Sequence, residues 1–484
     1  MPTFSDTTQT TISPHNQQPI VSREYPKVEG VDAAVAEAAR AQKAWAKVSL
    51  GERIEIGRRF IDEFKKTADE VPLELTLQMG RPVSQVAGEV RGFLDRADYM
   101  LSIAEESLKD VTLAETDKPG FKRYIKRVPL GVVLIVAPWN YPYLVSINSV
   151  LPALIAGNTV ILKPSPQTPL AGERFVNALL SAGVPQGVIQ ILHLTPALTQ
   201  HVAAHPLVNF VSFTGSVMGG KGVERAAVEA TTPDGSIGFK GVGLELGGKD
   251  PAYVRPDADL VYTVAELVDG AFFNSGQSCC AIERIYVHKD VYDSFVERFV
   301  EITKGYKLGD PTSPETTLGP VVSVASAERI KKQIDDAVKA GAKALISETL
   351  FSAAQPGTAY VAPQVLVNVD HSMDVMVEET FGPVVGIQKV DNDEEALKLM
   401  NDSPYGLTAS IWTNAENNRE SEKAFGWFVE ELETGTVFLN RCDYLDPALA
   451  WTGVKNSGRG VSLSKFGYDQ LTRAKSVHMK IKTA

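Results

Sequence analysis

The segment FFNSGQSCC, residues 272–280, places two neighbouring thiols directly after a break that contains glycine. A cysteine at such a break can lie near the start of a helix, where the helix dipole favours the nucleophilic thiolate. A lone cysteine is more often a buried structural thiol. Cys279 is therefore a candidate nucleophile only if other segments supply the groups that such chemistry requires.

Two other segments supply such groups. In LELGGKDP, residues 244–251, Glu245 stands before two glycines, where the backbone turns sharply or is approached closely. Its apolar neighbours favour burial, which raises a carboxyl pKa toward that of a useful general base. In APWNYPY, residues 137–143, the amide of Asn140 can donate to a developing oxyanion. The alternatives are a solvated surface glutamate and an asparagine that only satisfies backbone groups in a turn.

Another segment suits a phosphate group. FVSFTGSVMGG, residues 210–220, has the pattern of a strand, a Thr-Gly-Ser turn and a helix, so the Ser216 hydroxyl and the first helical amides could receive a pyrophosphate. Its glycines, Gly215 and Gly220, do not form the G-x-G-x-x-G fingerprint, so the motif alone is weak evidence for a dinucleotide site.

Two further segments could hold the sugars and the flat ring of a cofactor. ILKPSPQTP offers Lys163 to an adenosine ribose or a 2′-phosphate, and the alternative is an ordinary surface lysine. EETFGPVV supplies Glu379 for sugar hydroxyls and Phe381 as a ring that packs on a flat cofactor; the alternative is a surface acid beside a core aromatic residue. His201 and His205 have metal-like spacing but lack a third ligand, so we interpret them as a polar helix face and predict no metal site.

The composition excludes several classes of protein. The 484 residues are 44% hydrophobic and 22% charged, as in ordinary soluble proteins, and the formal charge of −11 argues against nucleic acid or an anionic membrane as a partner. The polar N-terminus lacks a secretory signal, and the most apolar run, residues 129–139, falls short of the ~20 residues of a membrane span. Three cysteines cannot form a disulfide framework, which predicts a reducing, cytoplasmic location.

The apolar runs predict a doubly wound α/β protein. From about residue 131 the strands GVVLIV, NTVILK, GVIQIL and NFVSF alternate with amphipathic stretches, as in a parallel sheet covered by helices. Most of the preceding hundred residues have helical spacing, and residues 1–19 indicate a disordered tail. After Gly247 a second alternation begins, with DPAYV, RIYVHK and VVGIQKV as strands. A chain of this length is expected to form at least two domains with the site in a cleft between them.

The terminal segment SVHMKIK alternates strictly between apolar and polar residues, which predicts a half-buried strand. Its expected partner is FKRYIKRV, residues 121–128, or the strand of a neighbouring subunit, and we interpret the pair as an oligomerisation flap. The predicted domains are a Rossmann-like cofactor domain at 1–112 and 131–246, a second α/β catalytic domain at 247–465, and the small β flap at 113–130 and 466–484.

In their order along the chain, these motifs resemble those of the aldehyde dehydrogenase superfamily from about residue 25 to the end. The 34 residues from Glu245 to Cys279 are similar to the interval in the hydrolytic members. The resemblance implies the aldehyde dehydrogenase fold and oxidation of an aldehyde to its carboxylic acid with NAD or NADP, through a thiohemiacetal and a thioester on the cysteine. A small-molecule aldehyde is then the substrate, and a homodimer or homotetramer is expected.

The resemblance also implies roles for individual residues. Cys279 matches the nucleophile, Glu245 the general base and Asn140 the oxyanion-hole amide, while Cys280 is expected to be a neighbour in the substrate tunnel. The remaining matches are to cofactor contacts: Lys163, Gly215, Ser216 and Gly220 at the adenosine and pyrophosphate, and Trp139, Glu379 and Phe381 around the pyrophosphate and nicotinamide half.

Two segments depart from the family pattern. Pro166 stands where members that prefer NAD usually place a glutamate for the ribose hydroxyls, so we hypothesise that NADP+ is accepted alongside NAD+. AWTGVKNSGRG, residues 450–460, differs from the Pro-Phe-Gly-Gly start of many members, which leaves the aldehyde undefined. Arg441 and Lys455 are candidate contacts for an acidic semialdehyde, although basic loop residues are more often solvated.

Three rival functions remain open to comparison. A CoA-acylating aldehyde dehydrogenase would typically lack the base carboxylate, and Glu245 is present. A catalytically silent structural or binding member would have lost the thiol, the base or the amide. A cysteine hydrolase would need a histidine paired with the thiol, and the sequence offers no candidate.

Overall fold

The computed structural model describes residues 2–5, 7–113, 117–229, 239–416 and 418–482. Residues 114–116 and 483–484 of the predicted flap, and residues 1, 6 and 230–238 of the predicted cofactor domain, lie outside these ranges. The α-helices are α1 Val28–Trp45, α2 Leu50–Lys65, α3 Val71–Met79, α4 Val83–Leu108, α5 Pro142–Ile155, α6 Pro169–Ser181, α7 Pro196–Ala204, α8 Val217–Val228, α9 Leu260–Phe272, α10 Tyr292–Lys304, α11 Val324–Lys339, α12 Asp374–Val377, α13 Asp393–Asn401, α14 Arg419–Glu431 and α15 Ser464–Gln470.

The β-strands are β1 Thr3–Phe4, β2 Thr8–Ile12, β3 Pro19–Glu24, β4 Val111–Thr112, β5 Phe121–Pro129, β6 Val132–Val136, β7 Thr159–Lys163, β8 Ile189–Ile191, β9 Val208–Thr214, β10 Gly241–Glu245, β11 Asp250–Val254, β12 Ile282–His288, β13 Lys343–Ala344, β14 Gln364–Val367, β15 Val384–Val390, β16 Tyr405–Gly406, β17 Thr408–Trp412, β18 Thr436–Leu439, β19 Val454–Lys455, β20 Gly458–Arg459 and β21 Thr472–Lys480. Short 3₁₀ helices cover Ala68–Glu70, Phe273–Gly276 and Glu348–Leu350. No helix in the described ranges is both long enough and apolar enough to span a bilayer.

The first large sheet has the strand order β20-β10-β9-β6-β7-β8, and the pairs from β10 to β8 are parallel. The five residues of β6 are all buried, as expected for a parallel strand covered on both faces. The four strands predicted after residue 131 are therefore confirmed. The chain runs outward from β6 to β7 and β8, then returns to place β9 on the other side of β6. Such a switch point opens a crevice at the carboxyl ends of the strands.

The second large sheet has the order β13-β14-β15-β12-β11-β17-β18, and its pairs are parallel except for the β13 edge. The strands predicted at DPAYV, RIYVHK and VVGIQKV are confirmed as β11, β12 and β15. The segments with predicted site residues in this half come immediately before these strands. The site is thus formed by loops that leave the carboxyl ends of the first sheet and loops that enter the amino ends of the second.

Helices α1 to α4 occupy most of the first hundred residues, as predicted, and pack against the first sheet and its helices. One link is the indole of Trp45, whose Nε1 donates to the Leu154 carbonyl at 2.9 Å and ties α1 to α5. The limits of the predicted domains remain a prediction.

The terminal strand and its predicted partner do pair. β21 runs antiparallel to β5 from Thr472 opposite Pro129 to Lys480 opposite Phe121, and β4 extends the sheet on the other side of β5. Val477 and Met479 are half-buried on β21, whereas Ile481 beyond the strand is exposed. β21 is thus an edge strand with one backbone side unpaired within the described chain.

The prediction of a disordered N-terminal tail is wrong. Residues in this segment form a three-stranded antiparallel sheet, β1-β2-β3. Thr11 is fully buried, and its Oγ1 donates to the Pro166 carbonyl at 2.8 Å, while Gln167 Nε2 donates to the Ile12 carbonyl at 3.1 Å. These contacts join residues about 155 positions apart, so the local polar composition could not reveal them.

Candidate active site

A cavity of about 760 Å³ lies where the two sets of loops meet. It is lined by nine of the ten predicted site residues: Trp139, Asn140, Lys163, Gly215, Ser216, Glu245, Cys279, Glu379 and Phe381. Gly220 lies outside the lining. A Cβ atom at Gly220 would meet Leu246 Cδ2 at 2.7 Å, so this glycine permits α8 to pack closely on the end of β10.

The loop that carries the predicted nucleophile Cys279, residues 273–280 and called the nucleophile loop, has an unusual backbone path. Asn274, Ser275 and Gly276 have φ angles of 52°, 58° and 70°, in the left-handed region. Asn274 and Gln277 stabilise this path, because each side chain donates to the other residue's carbonyl, at 3.2 and 3.0 Å. Cys279 then lies in a turn that leads into β12. The prediction that a helix starts beside Cys279 is wrong, since the β-branched, buried residues that follow form a strand.

The two glycines after Glu245 are approached closely by backbone and side-chain atoms, as the sequence predicted. A Cβ atom at Gly248 would meet the Cys279 carbonyl oxygen at 2.2 Å, and one at Gly247 would meet the Glu379 carboxylate at 2.5 Å. The loop after β10 therefore contacts both the nucleophile loop and the segment that carries Glu379.

Glu245 ends β10, at the carboxyl edge of the first sheet. Its Oε2 accepts a hydrogen bond from Thr214 Oγ1 at 3.4 Å. Burial raises the pKa of Glu245, although the Thr214 hydroxyl and the charge of Arg96 act in the opposite direction. A carboxyl group in this environment can take up a proton near neutral pH more readily than a solvated one.

Asn140 is buried, and its Nδ2 donates to the Gln277 carbonyl at 3.2 Å, two residues before Cys279. The Asn140 carbonyl accepts from the guanidinium of Arg81, which also forms a fully buried ion pair with Glu89. Glu89 Oε1 in turn accepts from the Tyr143 amide at 2.9 Å, in the first turn of α5. Sequence reasoning missed Arg81 and Glu89. A signal was available, because these two charged residues stand eight positions apart around the uncharged start of α4.

The predicted phosphate-binding segment has the expected geometry. Ser216 is the N-cap of α8, and its Oγ accepts from the Gly219 amide at 3.2 Å. Lys163 ends β7, and its carbonyl accepts from the Ala137 amide at 3.0 Å. Burial lowers the pKa of Lys163 to about 8.

Glu379 and Phe381 belong to a segment whose backbone is held by hydrogen bonds to the Glu283 carboxylate. Glu283 accepts hydrogen bonds from the amides of Thr380 and Phe381 at 2.7 and 2.8 Å. Glu283 is itself buried and paired with Lys249. The ring of Phe381 meets that of Trp139 edge to face, with centroids 5.6 Å apart.

Glu379 Oε1 accepts from the Gly248 amide at 2.9 Å. Burial raises the pKa of Glu379 to about 7, and the negative charge of Glu283 adds to this effect. The carboxyl therefore titrates within the physiological range.

Cys280 lines the same cavity, as predicted, and it is held by a residue that sequence reasoning missed. Asp443 Oδ1 accepts from Cys280 Sγ at 3.0 Å and from Ser278 Oγ at 2.9 Å. The hydrogen bond with the Cys279 thiol, together with burial, raises the pKa of Cys280, and burial raises the pKa of Asp443 to about 6. The second thiol is thereby kept protonated beside Cys279. Asp443 is 163 residues away from Cys280 in the chain, so their contact could not be predicted from the sequence.

Arg441 and Lys455, the predicted contacts for an acidic semialdehyde, lie outside the cavity and contact other groups of the protein. Lys455 donates to the Asn401 carbonyl at 2.9 Å and pairs with Glu433 at 2.6 Å, and the Arg441 guanidinium lies 3.5 Å from the centre of the Tyr444 ring. Neither cation lines the cavity.

The histidines predicted to form a polar helix face share an acidic neighbour. His201 Nε2 lies 2.6 Å from Asp32 Oδ1, and His205 Nε2 lies 3.8 Å from the same atom. The described residues contain no group of three or more His, Cys, Asp or Glu side chains that could hold a metal ion.

Comparison with known proteins places this architecture in a family. A model of the aldehyde dehydrogenase family matches residues 3–477. The NADP(+) succinate-semialdehyde dehydrogenase of Mycobacterium avium (strain 104) is 35% identical over 451 residues, which are 92% of this chain and 91% of the relative. A probable betaine aldehyde dehydrogenase of Schizosaccharomyces pombe (strain 972) is 31% identical over 469 residues, 96% of this chain and 91% of the relative.

A solved structure has the same fold. The succinic semialdehyde dehydrogenase from Streptococcus pyogenes, in complex with NADP+, superposes with a TM-score of 0.89 at 29% identity, covering 97% of this chain and 99% of the other. The chain therefore belongs to the aldehyde dehydrogenase family, and it is an NAD(P)+-dependent oxidoreductase that acts on an aldehyde.

Proposed function

We propose that the chain oxidises its aldehyde to the carboxylic acid with Cys279 as nucleophile, Glu245 as general base and Asn140 as the oxyanion donor. The observation that carries this proposal is that all three side chains line one cavity, together with the groups that suit a nicotinamide dinucleotide. Each of the three has the chemistry that its proposed step requires.

The first step is addition of the Cys279 sulfur to the aldehyde carbon, which leaves negative charge on the former carbonyl oxygen. One N–H of the Asn140 amide donates to the Gln277 carbonyl, which orients the amide beside the nucleophile loop. The other N–H is then available to the oxyanion. The oxyanion then re-forms the C=O bond as the C–H bond breaks and hydride leaves for the nicotinamide acceptor, and a thioester remains on Cys279.

The second step is hydrolysis. Glu245 takes a proton from water, the water oxygen attacks the thioester carbon, and the C–S bond breaks to release the acid and restore Cys279. The raised pKa of Glu245 suits this role, because a base works best when its pKa lies near the operating pH. Glu245 also argues against transfer of the acyl group to CoA, for which no base of this kind is needed.

The remaining residues of the cavity fit a nicotinamide dinucleotide by their donor chemistry. Ser216 begins α8, whose first amides suit a pyrophosphate. Lys163 offers a cation, Glu379 a carboxylate for ribose hydroxyls, and Trp139 and Phe381 offer apolar rings. When bound, the cofactor accepts hydride from the aldehyde carbon.

NADP+ is proposed to be used alongside NAD+. Position 166 is a proline and not a glutamate, and its carbonyl accepts a hydrogen bond from Thr11. Lys163, three residues earlier in the chain, lines the cavity. A 2′-phosphate therefore meets a cation rather than an acid. Comparison of kcat/KM for the two cofactors tests this: a preference for NAD+ above about a thousandfold, some 4 kcal/mol, contradicts it. Lys163→Met should lower kcat/KM for NADP+ more than for NAD+.

The rival functions find little support in the cavity. Its lining, taken over the described residues, contains no histidine, so a Cys–His hydrolase has no base. A silent structural or binding member would have no reason to keep the thiol, the carboxylate and the amide together.

The mechanism is tested by rapid mixing with aldehyde and cofactor. A burst of absorbance at 340 nm should approach one equivalent per site, and mass spectrometry of the quenched enzyme should find the acyl group on Cys279. Glu245→Gln should keep the burst but slow later turnover by on the order of 10²-fold. Cys442→Ser, a matched thiol substitution, should retain both phases. Acylation of Cys280 or Cys442, or acid release at the normal rate by Glu245→Gln, would overturn the assignment.

Two further properties are proposed. The unpaired edge of β21 suits pairing with another subunit, which supports a homodimer or homotetramer and is tested by light scattering. All three cysteines are free thiols, which fits a reducing, cytoplasmic location, and fractionation of cells tests it.

A further inference from the structure

Arg96 and Asn148 form a polar patch in the wall of the cavity that the proposed mechanism does not use. Arg96 lies on α4 and is 7% exposed, and Asn148 lies on α5 and is 2% exposed. Buried cations are rare in proteins unless an anion or several acceptors compensate for the lost hydration. The partners of these two residues are therefore informative.

The partners within the protein are incomplete. Arg96 donates from Nη1 alone, to the Leu144 carbonyl at 2.7 Å and to Asn148 Oδ1 at 3.2 Å, and no carboxylate among the described residues lies within 4 Å of it. Nε and Nη2 of Arg96 make no hydrogen bond to a described group. Asn148 Nδ2 is buried and likewise finds no acceptor in the part of the chain that the structure describes. The patch thus has a positive charge and N–H donors left over.

The patch lies near the reacting groups. The charge of Arg96 is close enough to Glu245 to oppose the rise of its pKa, and Cys280 and Glu245 both act on Arg96 in return. Arg96, Asn148, Glu245 and Cys279 all line the same cavity, so a ligand group held by Arg96 would share that cavity with an aldehyde carbon at Cys279.

From this geometry we propose that Arg96 and Asn148 bind a carboxylate at the far end of the substrate, so that the preferred substrates are short aldehydes with a terminal carboxylate. The inference rests on the proposed function and adds the substrate class. A carboxylate supplies the negative charge that Arg96 lacks and two acceptor oxygens, one for the guanidinium and one for Asn148 Nδ2. A neutral chain would leave the remaining N–H donors of Arg96 and the Asn148 Nδ2 group without acceptors.

Carboxylates also line the cavity, and they are placed differently. Asp95 and Asp269 are exposed and Glu266 is half-buried, so water and salt screen most of their repulsion. The buried carboxyls of the lining are compensated in other ways: Glu89 pairs with Arg81, and burial raises the pKa of Glu245, Glu379 and Asp443, which favours their uncharged forms. Arg96 is buried, and its attraction for an anion is screened far less. The buried cation should therefore decide the preference.

The test compares kcat/KM for succinic semialdehyde with that for butanal, an uncharged aldehyde of the same carbon number. The wild-type enzyme should prefer the semialdehyde by at least about tenfold, the effect of one charged hydrogen bond. Arg96→Met should lower this ratio on the order of 30-fold. Asn148→Leu removes one donor and should lower it about tenfold or less.

The matched control is Arg91→Met, the same substitution on the same helix at an exposed residue of the cavity lining. It should change the ratio by less than about twofold, because exposed charges are screened. Arg96→Lys keeps the charge and should give an intermediate ratio, and it serves if Arg96→Met does not fold.

Two results overturn the proposal: a wild-type enzyme that oxidises butanal as well as the semialdehyde, or Arg96 variants with an unchanged ratio. Failure of the proposed function looks different, because it would appear as an acyl group on another cysteine or as normal acid release by Glu245→Gln, and not as a change in the ratio for the two aldehydes.

Discussion

The nucleophile loop and the mouth of the cavity are built by different means. The path of the nucleophile loop around Cys279 is fixed by its backbone. Three features contribute: left-handed residues, hydrogen bonds between Asn274 and Gln277, and the close approach of Gly248. The cavity mouth, formed by the exposed lining residues Arg91, Asp95, Asp269 and Tyr444, consists of side chains from α4, α9 and the segment after β18.

The two regions should therefore tolerate amino-acid substitutions to different degrees. A Cβ atom added at Gly248 would come closer than 3 Å to backbone, so it must displace the loop that carries the proposed nucleophile. Exposed side chains can move, and solvent screens their charges. Substitutions should therefore act strongly on turnover at the nucleophile loop and weakly at the mouth.

The largest effect is expected from Asn140, which joins the first sheet to the nucleophile loop. Asn140→Ala removes the proposed oxyanion donor and the hydrogen bond to Gln277, and kcat should fall on the order of 10²–10³-fold. Asn177→Ala, at an exposed residue of α6, is the matched control and should stay within about twofold. Steady-state assays with butanal measure both, and similar activities of the two variants would remove Asn140 from the mechanism.

The second prediction isolates the close contact itself. Gly248→Ala would place a Cβ atom 2.2 Å from the Cys279 carbonyl oxygen, and the resulting shift of the nucleophile should lower kcat on the order of 10²-fold. Gly51→Ala is the matched control, because nothing lies within 4 Å of a Cβ atom there and alanine favours the helix. Thermal melts accompany the assays, and a fully active Gly248→Ala enzyme would contradict the contrast between loop and mouth.

The same contrast explains what the sequence could and could not predict. Cys279, Glu245 and Asn140 were candidates because each stands at a strand end or a glycine break, and the resemblance to the family supplied the roles proposed for them. Asp443 and Arg81 were missed because they reach the site across long sequence separations, where the fold alone brings them to Cys280 and to Asn140.

Secondary structure was likewise predictable where short-range pattern determines it and not where distant residues do. Strands buried on both faces, such as β6, were predictable from continuous apolar runs. The N-terminal strands were not, because the buried Thr11 hydroxyl donates to the distant Pro166 carbonyl and the Ile12 carbonyl accepts from Gln167. The left-handed residues of the nucleophile loop were also unforeseen, since Ser275, between Asn274 and Gly276, is a residue that rarely adopts such a backbone.

A third prediction concerns Glu379, which lines the cavity and accepts a hydrogen bond from the Gly248 amide. Burial raises its pKa to about 7, so the ionised form that suits ribose hydroxyls should be present above pH 7 and the cofactor Kd should fall as pH rises from 6 to 8. Glu379→Gln should weaken binding about tenfold at pH 8 and remove most of the pH dependence. Fluorescence titration with NAD+ or NADP+ measures this, and an unchanged pH profile in the variant would exclude Glu379 as the titrating group.

The same shift has a consequence for stability with the opposite sign. Because the folded-state pKa is raised, the protonated carboxyl contributes stability at low pH that is lost as pH rises through about 7. Glu379→Gln should therefore gain in Tm relative to the wild type at pH 8 but not at pH 5. A gain confined to low pH would mean that the buried carboxylate is stabilised rather than penalised.

The smallest effect is expected at the mouth, from Asp95. Asp95→Asn removes an exposed negative charge, so kcat/KM for butanal should change by less than about twofold. For succinic semialdehyde it should rise by about twofold at low ionic strength, and the rise should vanish at high salt, where the Debye length is about 3 Å. Assays of both aldehydes across a salt series measure it. A change above about tenfold, or one that salt does not reduce, would mean that the mouth is as tightly determined as the nucleophile loop.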